Sequence, residues 1–234
     1  MLKIQKLNAH YGSSHVLHGI SLDVKAGEIV GLLGRNGVGK TTLINSIVGF
    51  VEARKGSIEF CGRSLMEMPT HVIARQGVGL VPQGRRIFPD LKVHENLTLG
   101  ARTPKSAAGT IWTLERVYGL FPVLAERANE RADSLSGGEQ QMMVLGRALL
   151  TNPALLLIDE LSEGLAPIVV RSLVHALSGL KSSGMSILLV EQNLETAVSL
   201  ADRIYVLSKG VVVHQGTSAG IAENESIKKL YLGV

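Results

Sequence analysis

The stretch EIVGLL-GRNGVGKTT, residues 28–42, decides the fold of this chain. Its first part, Glu28–Leu33, is an almost unbroken apolar run, which is typical of a strand buried on both faces of a sheet. The next part fits the pattern G-x-x-x-x-G-K-[ST] at every position, and a helix is predicted from Thr41 to about Val48, where Gly49 ends it. A strand, a glycine-rich turn and a helix in this order predict a phosphate-binding loop.

The residues of this loop are expected to divide the work of holding a nucleotide. The glycines let backbone N–H groups turn inward around the β-phosphate, and the helix N-terminus adds partial positive charge. Lys40 is expected to reach the β- and γ-phosphates, and Thr41 is expected to ligate Mg²⁺. The predicted nucleotide ligands of the loop are Gly34, Arg35, Asn36, Gly37, Val38, Gly39, Lys40, Thr41 and Thr42.

A second apolar run, LLLIDE at Leu155–Glu160, ends in two carboxylates where a buried strand reaches the surface. Asp159 is expected to hold Mg²⁺ through water. Glu160 is expected to orient and polarise the water that attacks the γ-phosphate. An Asp-Glu pair at a strand end is usually a solvated terminus, but a phosphate loop in the same chain favours the catalytic interpretation. The sequence therefore predicts an ATPase that uses ATP and Mg²⁺.

Two further residues give weaker signals. Gln83 follows the short predicted strand Val78–Pro82, where a polar side chain could contact Mg²⁺ and sense the γ-phosphate. Tyr11 is an aromatic residue near the N-terminus that could stack on a base. Spacing alone favours the plainer alternatives, which are an ordinary loop glutamine and an aromatic ring packed at a sheet edge.

The composition indicates a globular protein and argues against several function classes. Of the 234 residues, 45% are apolar and 19% are charged, which argues against disorder. The apolar runs have the length of strands and fall short of the ~20 residues of a membrane-spanning helix. The net charge of +4 is mild and the sequence has no polybasic arm, which argues against nucleic acid as a partner. The single cysteine, Cys61, fits a reducing compartment, so a cytoplasmic location is expected.

The order of the predicted elements indicates an α/β fold. Strands alternate with helices, which implies right-handed crossovers and a mostly parallel sheet. Alternating residues at 2–7 and Ile20–Val24 predict an antiparallel β edge. Apolar residues after position 113 recur at helical spacing, with a break at Pro122, which predicts a helical insertion. We expect a single domain over residues 1–234, with a core at about 1–83 and 153–234 and a helical subdomain at about 84–152.

The segment LSGGEQ, Leu135–Gln140, resembles a second anion-binding corner. Ser136 and Glu139 form the S-x-x-E pattern of a capping box, which by itself predicts only a helix start. A cap does not require Gly137 and Gly138, whereas a phosphate that approaches the backbone closely does. Because one ATP already belongs to the first loop, we interpret this segment as a contact for an ATP held by another copy or by a related subunit.

These motifs together resemble the ATPase subunit of an ABC transporter, over essentially the whole chain. The shared features, in this order, are Tyr11, GRNGVGKT, Gln83, LSGGEQ and LLLIDE. The resemblance implies a head-to-tail pair of subunits with two ATP molecules, each held between the phosphate loop of one subunit and the LSGGQ-type segment of the other. It also implies that Tyr11 stacks on adenine, that Gln83 is the Q-loop glutamine and that Glu160 is the catalytic base. Hydrolysis would open the pair and move attached membrane subunits.

Two longer segments point to one branch of this family. PQGRRIFPDLKVHENLTLGA at residues 82–101 and SEGLAPIVV at residues 162–170 resemble the LivF-type ATPase of branched-chain amino acid importers. Such importers pair two ATPases with two permeases and a periplasmic binding protein. The expected location is therefore peripheral, on the inner face of the membrane, with GRRIFPDL near a permease. A homodimer and a heterodimer both agree with the sequence, because the chain holds both halves of a site.

Other functions remain as alternatives. Urea or short amides are the alternative cargo to leucine-type amino acids. A soluble ABC-type ATPase that acts on DNA repair, chromosomes or ribosomes is disfavoured, since the sequence shows no long heptads, zinc spacings or second motif set. Lys40 and Glu160 argue against an ATP-binding scaffold that does not hydrolyse.

Four positions beside the predicted site have distinct expectations. Gln192 stands where most ABC ATPases have a histidine that contacts the γ-phosphate, so it is expected to donate a hydrogen bond but not to act as an acid or base. Asn193 is expected to cap the helix that follows. Ala166 stands where the family has an aspartate that makes a polar contact across the dimer, and Leu161 replaces a common proline. The chain therefore lacks one usual contact between the two ATP sites.

Overall fold

The fold is seen in a computed structural model that describes residues 1–103 and 110–232. Its strands are β1 (Leu2–Tyr11), β2 (Ser14–Val24), β3 (Ile29–Leu33), β4 (Ala53–Phe60), β5 (Arg63–Ser64), β6 (Val78–Val81), β7 (Leu155–Asp159), β8 (Ser186–Glu191), β9 (Arg203–Ser208) and β10 (Val211–Thr217). Its α-helices are α1 (Lys40–Ile47), α2 (Thr70–Arg75), α3 (Val93–Thr98), α4 (Leu114–Leu120), α5 (Pro122–Glu126), α6 (Gly137–Leu149), α7 (Pro167–Ser182), α8 (Leu194–Leu200), α9 (Ser218–Glu223) and α10 (Glu225–Ile227).

A sheet in the order β10-β9-β3-β8-β7-β6 forms the centre of the molecule. Its strands run parallel from β9 to β6, and β10 pairs antiparallel with β9. Every residue of β3, β7 and β8 is buried, which explains the continuous apolar runs of the sequence. The carboxyl ends of parallel strands lie at one edge, so the loops after β3, β6, β7 and β8 meet there.

The central strands send alternate side chains into two hydrophobic clusters, because successive side chains of a strand point to opposite faces. Ile29 and Leu33 of β3 belong to a cluster with residues of α6, α7 and α8. Val30 and Leu32 belong to a second cluster with residues of α1, β1 and β2. The parallel sheet is thus covered on both faces, as its apolar composition requires.

The remaining strands form a separate antiparallel sheet in the order β2-β1-β4-β5. Alternating residues in the sequence predict β1 and β2, whereas β4, β5 and α2 are not predicted. β4 lies close to β1 at Gly56, where an added Cβ atom would come within 2.5 Å of the carbonyl oxygens of Gln5 and Lys6. Gly56 also has a φ of +98°, so both the approach and the backbone conformation require glycine.

The helices α3 to α6 lie between β6 and β7 in the chain, where the sequence predicts the helical subdomain. Residues 104–109 of the predicted subdomain, and residues 233–234 of the predicted domain, lie outside the described residues. The break at Pro122 is confirmed, since α4 ends at Leu120 and α5 begins at the proline. Val117, Leu124 and Leu145 share one cluster with Ile158 of β7, so these helices pack onto the central sheet.

The loop between β6 and α3 is fastened to the helices by two polar side chains. Asn96 is fully buried, and it accepts a hydrogen bond from Phe88 N and donates one to Phe88 O, both 2.9 Å long. Arg147 donates to Arg86 O over 2.6 Å, and its guanidinium lies 5.2 Å from the centre of the Phe88 ring. These contacts join the residues after Gln83 to α3 and α6.

Candidate nucleotide-binding site

The glycine-rich loop between β3 and α1 needs its glycines for packing within the chain. An added Cβ atom on Gly34 would lie 2.5 Å from Leu207 O, and one on Gly39 would lie 2.8 Å from Leu17 Cδ2. Gly37 and Gly39 have φ values of +79° and +108°, which L side chains rarely adopt. The predicted loop therefore forms as expected, with Arg35, Asn36 and Gly37 exposed, Val38 half-buried and Thr42 buried.

Lys40, the first residue of α1, is only 3% exposed. Its Nζ donates to Gly34 O over 2.9 Å and to Arg35 O over 3.1 Å. It also forms an ion pair with Glu160 Oε1 at 3.0 Å. The structure thus places the predicted phosphate ligand beside the predicted catalytic carboxylate, although the two residues are far apart in the chain.

Glu160 is the centre of a small polar cluster at the carboxyl edge of the sheet. Gln83 Nε2 donates to Glu160 Oε2 and to Glu163 Oε2, over 2.9 Å each. Glu160 has a φ of +54°, a left-handed conformation that is uncommon for a residue with a side chain. Its backbone N–H donates to Val190 O over 2.9 Å and anchors it beside β8. Lys40 and Gln83, both predicted site residues, therefore each contact Glu160.

Asp159 ends β7 and is 2% exposed. Burial raises the pKa of its carboxyl group to about 6, while a hydrogen bond with the Thr41 side chain acts in the opposite direction and the charge of Glu160 adds to the rise. Among the described residues, its Oδ1 atom is buried and has no hydrogen-bond partner. A buried carboxylate oxygen that lacks a partner is expensive unless a cation or donor completes it.

The surroundings of Asp159 fit the predicted Mg²⁺. Thr41, Gln83 and Asp159 line one open cleft of about 840 Å³. Hydroxyl, amide and carboxylate oxygens are the hard ligands that this cation uses, with water in its remaining positions. In the described part of the chain no group of three or more His, Cys, Asp or Glu side chains is arranged for a metal ion. Asp159 and Glu163 are the carboxylates among the residues that line this cleft.

Gln192 lies at the mouth of a second cleft of about 790 Å³, which it lines together with Arg35 and Glu160. Its side chain is exposed, so it is available to a ligand beside Glu160. Asn193 Oδ1 accepts a hydrogen bond from Thr196 N over 2.8 Å at the start of α8. The predicted helix cap is confirmed. The Asn193 side chain is thus engaged in a hydrogen bond within the chain, whereas that of Gln192 faces the cleft.

Tyr11 lies at the end of β1 with 49% of its surface exposed. The hairpin from β1 to β2 continues to Val16, whose Cγ1 lies 3.6 Å from an ideal Cβ position on Gly39. This brings the strand after Tyr11 against the phosphate loop. Beside Tyr11, the rings of His10 and His15 stack with centroids 4.1 Å apart. The Tyr11 ring is exposed at the end of β1, and its stacking on adenine stays a prediction.

The segment LSGGEQ forms the start of α6, and its predicted capping box is confirmed. Ser136 Oγ accepts from Glu139 N over 3.4 Å, and Glu139 Oε2 accepts from Ser136 N over 2.7 Å. Arg127 fixes Glu139 through an ion pair of 2.8 Å. Ser136 is exposed, and no residue of this segment lines either cleft described above. Among the described residues, LSGGEQ thus lies outside the two clefts that the phosphate loop and Glu160 line.

The two glycines of this segment also have neighbours in the same chain. An added Cβ atom on Gly137 would lie 2.8 Å from a terminal nitrogen of Arg85, and one on Gly138 would lie 2.6 Å from Val169 Cγ1. Glycine is therefore needed at position 138 for packing against α7. From the sequence, these glycines are predicted only to approach an external phosphate. Their contacts with Arg85 and Val169 join distant segments, so no local pattern predicts them.

Sequence reasoning also missed two acidic residues near the site. Glu163 shares the Gln83 amide with Glu160, and Glu191 is buried at the end of β8 beside Gln192. Glu163 stands in a polar loop where many acids would be ordinary. Glu191 had a usable signal, because an acidic residue directly continues the apolar run SILLV.

The chain is similar to several known proteins over most or all of its length. A sequence model described as "ABC transporter" matches residues 17–163. The high-affinity branched-chain amino acid transport ATP-binding protein BraG of Pseudomonas aeruginosa is 42% identical over 100% of both chains. The lipopolysaccharide export ATP-binding protein LptB of Escherichia coli K12 is 35% identical over 99% of this chain and 97% of that protein.

Two further similarities concern an archaeal relative and a solved structure. The probable branched-chain amino acid transport ATP-binding protein LivF of Archaeoglobus fulgidus is 32% identical over 100% of this chain and 99% of that protein. The crystal structure of the ADP conformation of MJ1267, an ATP-binding cassette of an ABC transporter, superposes with a TM-score of 0.82 at 25% identity, covering 100% of this chain and 99% of that one. The α/β fold inferred from the sequence is therefore confirmed.

Proposed function

This chain belongs to the ABC transporter family, and we propose that it is the ATP-hydrolysing subunit of an importer for branched-chain or similar hydrophobic amino acids. The observation that carries the ATPase function is the contact cluster in which Lys40, Gln83 and Glu160 converge beside buried Asp159. The full-length similarity to BraG supports the cargo class, since it exceeds the similarity to the export protein LptB.

The residues of the cluster have distinct tasks in hydrolysis. The Lys40 ammonium stabilises negative charge on the β- and γ-phosphates, and Glu160 orients the attacking water and accepts its proton. Gln83 joins Glu160 to the Mg²⁺ side of the cleft. Mg²⁺, held by Thr41, Gln83 and Asp159, would neutralise charge on the phosphate oxygens. Gln192 supplies a hydrogen bond to the γ-phosphate and holds no proton near neutral pH.

The remaining contacts of the triphosphate are assigned to a second ATPase subunit. Ser136, Gly137, Gly138 and Glu139 lie away from both clefts of their own chain, which supports their use toward a nucleotide on a partner. The head-to-tail pair contains two such composite sites. Closure of the pair around ATP, followed by hydrolysis, is the step that moves the attached subunits.

An apolar groove supports docking to a permease subunit. The groove has a volume of about 370 Å³, and it is flanked by Phe50 and Leu99, which are 62% and 59% exposed. Phe50 and Leu80 line both this groove and the cleft that holds Thr41 and Asp159. A cytoplasmic segment of a permease seated there would touch the walls of the ATP cleft, so motion could pass between them.

The expected location follows from this docking. Within residues 1–103 and 110–232, none of the helices has both the length and the apolar character to span a bilayer. We therefore assign the chain a peripheral position on the inner face of the membrane, through two permease subunits. A solute-binding protein outside the membrane would deliver the cargo to these permeases.

The test is reconstitution with the membrane subunits that co-purify with the chain. In proteoliposomes with their binding protein, leucine or valine is expected to stimulate ATP hydrolysis and to accumulate inside. Stimulation by urea or short amides instead would establish the alternative cargo. Recovery of lipopolysaccharide-export subunits, or of no membrane subunit at all, would contradict the importer assignment.

A further inference from the structure

A single buried carboxylate, that of Glu191, joins two segments on either side of the catalytic cluster. Glu191 is the last residue of β8 and is 1% exposed. Its Oε1 accepts from Ser162 N over 3.1 Å, and its Oε2 accepts from Ser162 Oγ over 3.0 Å and from Gln192 N over 3.3 Å. The backbone N–H of Asn193 is a further donor. Ser162 follows Glu160 by two positions, so the carboxylate holds the segment after the catalytic residue.

This carboxylate is costly for the fold. Burial raises the pKa of Glu191, and the hydrogen bonds from Ser162, Gln192 and Asn193 only partly offset that rise. Among the described residues no lysine or arginine pairs with it. A buried carboxylate satisfied only by hydrogen bonds adds little net stability. Glu191 therefore matters more for the positions of Ser162 and Gln192, which its hydrogen bonds fix, than for stability.

The two joined segments both lead to the composite ATP site of the proposed function. Gln192 is the proposed hydrogen-bond donor to the γ-phosphate. Ser162 begins the segment to Ala166, where the family resemblance implies the contact with the partner subunit and where this chain lacks the usual aspartate. If the partner displaced this segment, the Glu191 side chain would transmit the movement to the Gln192 backbone.

We infer that Glu191 is a positioning residue that couples the partner-facing segment after Glu160 to Gln192 at the γ-phosphate. This inference rests on the proposed function. It assigns Glu191 no proton transfer and no contact with ATP. Its loss should slow the hydrolytic step in the assembled pair and leave ATP binding to the single chain intact.

A double-mutant cycle in the reconstituted transporter tests the link. Glu191→Gln keeps the shape but sets an amide N–H group among N–H donors, and Ser162→Ala removes only the hydroxyl donor. We expect Glu191→Gln to lower kcat about tenfold, as for one charge-assisted hydrogen bond, with the KM for ATP unchanged. Ser162→Ala is expected to lower kcat less. The double variant should be no slower than Glu191→Gln, because both changes break the same link.

Glu126→Gln is the matched control, since it makes the same chemical change on an exposed residue that lines neither cleft. Its kcat should equal that of the unmodified protein. The Tm of Glu191→Gln should fall only modestly, because the glutamine oxygen still accepts hydrogen bonds while its amide group leaves a buried N–H donor unpaired.

Three results would overturn the link: an unchanged kcat in Glu191→Gln, strictly additive losses in the cycle, or a fall in kcat accompanied by a fall of the same factor in ATP affinity. Failure of the proposed function looks different, because hydrolysis would then survive Glu160→Gln as well.

Discussion

The chain begins two helices at glycine-rich corners, and the two starts are completed differently. At α1 the cap position is Gly39, without a side-chain hydrogen bond and without an acidic residue in the first turn. At α6 the side chains of Ser136 and Glu139 cap each other's backbone N–H groups. A bare helix start keeps its N–H groups and its positive end for an anion, whereas a capped start is already satisfied. The first corner is thus prepared for a phosphate by its own chain.

The second corner keeps one hydrogen-bond donor that the cap does not use. Ser136 Oγ uses a lone pair in its cap, and its O–H group can still donate to an acceptor from outside. The serine is exposed and lies in neither cleft of its own chain. The difference between the corners is consistent with the proposal that α1 acts on the nucleotide of its own subunit and α6 on that of a partner. The following variants, from the largest expected effect to the smallest, test this division.

Glu160→Gln should lower ATP hydrolysis ~10²-fold or more, as for the loss of a general base. The glutamine keeps the size of the side chain beside Lys40 and Gln83, so ATP binding should persist and the paired form should accumulate. Steady-state turnover and size-exclusion chromatography with ATP provide the measurements. Normal turnover in this variant would remove Glu160 from the mechanism.

Lys40→Met should weaken ATP binding to the isolated chain ~10- to 100-fold, because a hydrogen bond to a charged group contributes ~1.5–3 kcal/mol. Fluorescent-nucleotide titration of the monomer measures it. Lys25→Met, at an exposed lysine in the turn before β3, is the control and should bind normally. Equal binding by Lys40→Met and the control would break the assignment of α1 to the subunit's own nucleotide.

Ser136→Ala should lower turnover of the assembled pair about tenfold, since one hydrogen bond to a charged phosphate is lost. ATP binding to the monomer should not change. The variant should also lose ~1 kcal/mol of unfolding free energy with the cap.

Thr113→Ala separates the two effects of Ser136→Ala. Thr113 caps α4 by accepting from Arg116 N, so its loss should cost similar stability while turnover stays normal. Weaker ATP binding by the Ser136→Ala monomer would place α6 at the nucleotide of its own chain.

Asn193→Ala should have the smallest effect, a loss of ~1 kcal/mol in unfolding free energy measured by urea denaturation. The side-chain oxygen of Asn193 already accepts a hydrogen bond from Thr196 N, so turnover should stay within about twofold. A tenfold fall in turnover would show that Asn193, like Gln192, serves the γ-phosphate.

The apolar pattern predicted the central elements because both faces of the sheet are covered. β3, β7 and β8 are continuous apolar runs, each buried along its whole length. β5 has only two residues, both exposed, so it leaves no pattern in the sequence. β4 contains Gly56 and pairs with β1 through an irregular register, so it carries no clean alternation. α2 spans six residues, too few for helical periodicity to be seen.

The phosphate loop, the acidic strand end and the capping box can be predicted from the sequence, because each depends on residues adjacent in the chain. The folded chain sets which residues meet: Lys40 contacts Glu160, Arg85 lies beside Gly137, and Glu191 binds Ser162. These contacts arise because the parallel sheet gathers the ends of β3, β6, β7 and β8 at one edge. Residues of distant segments become neighbours there, and no local pattern records that neighbourhood.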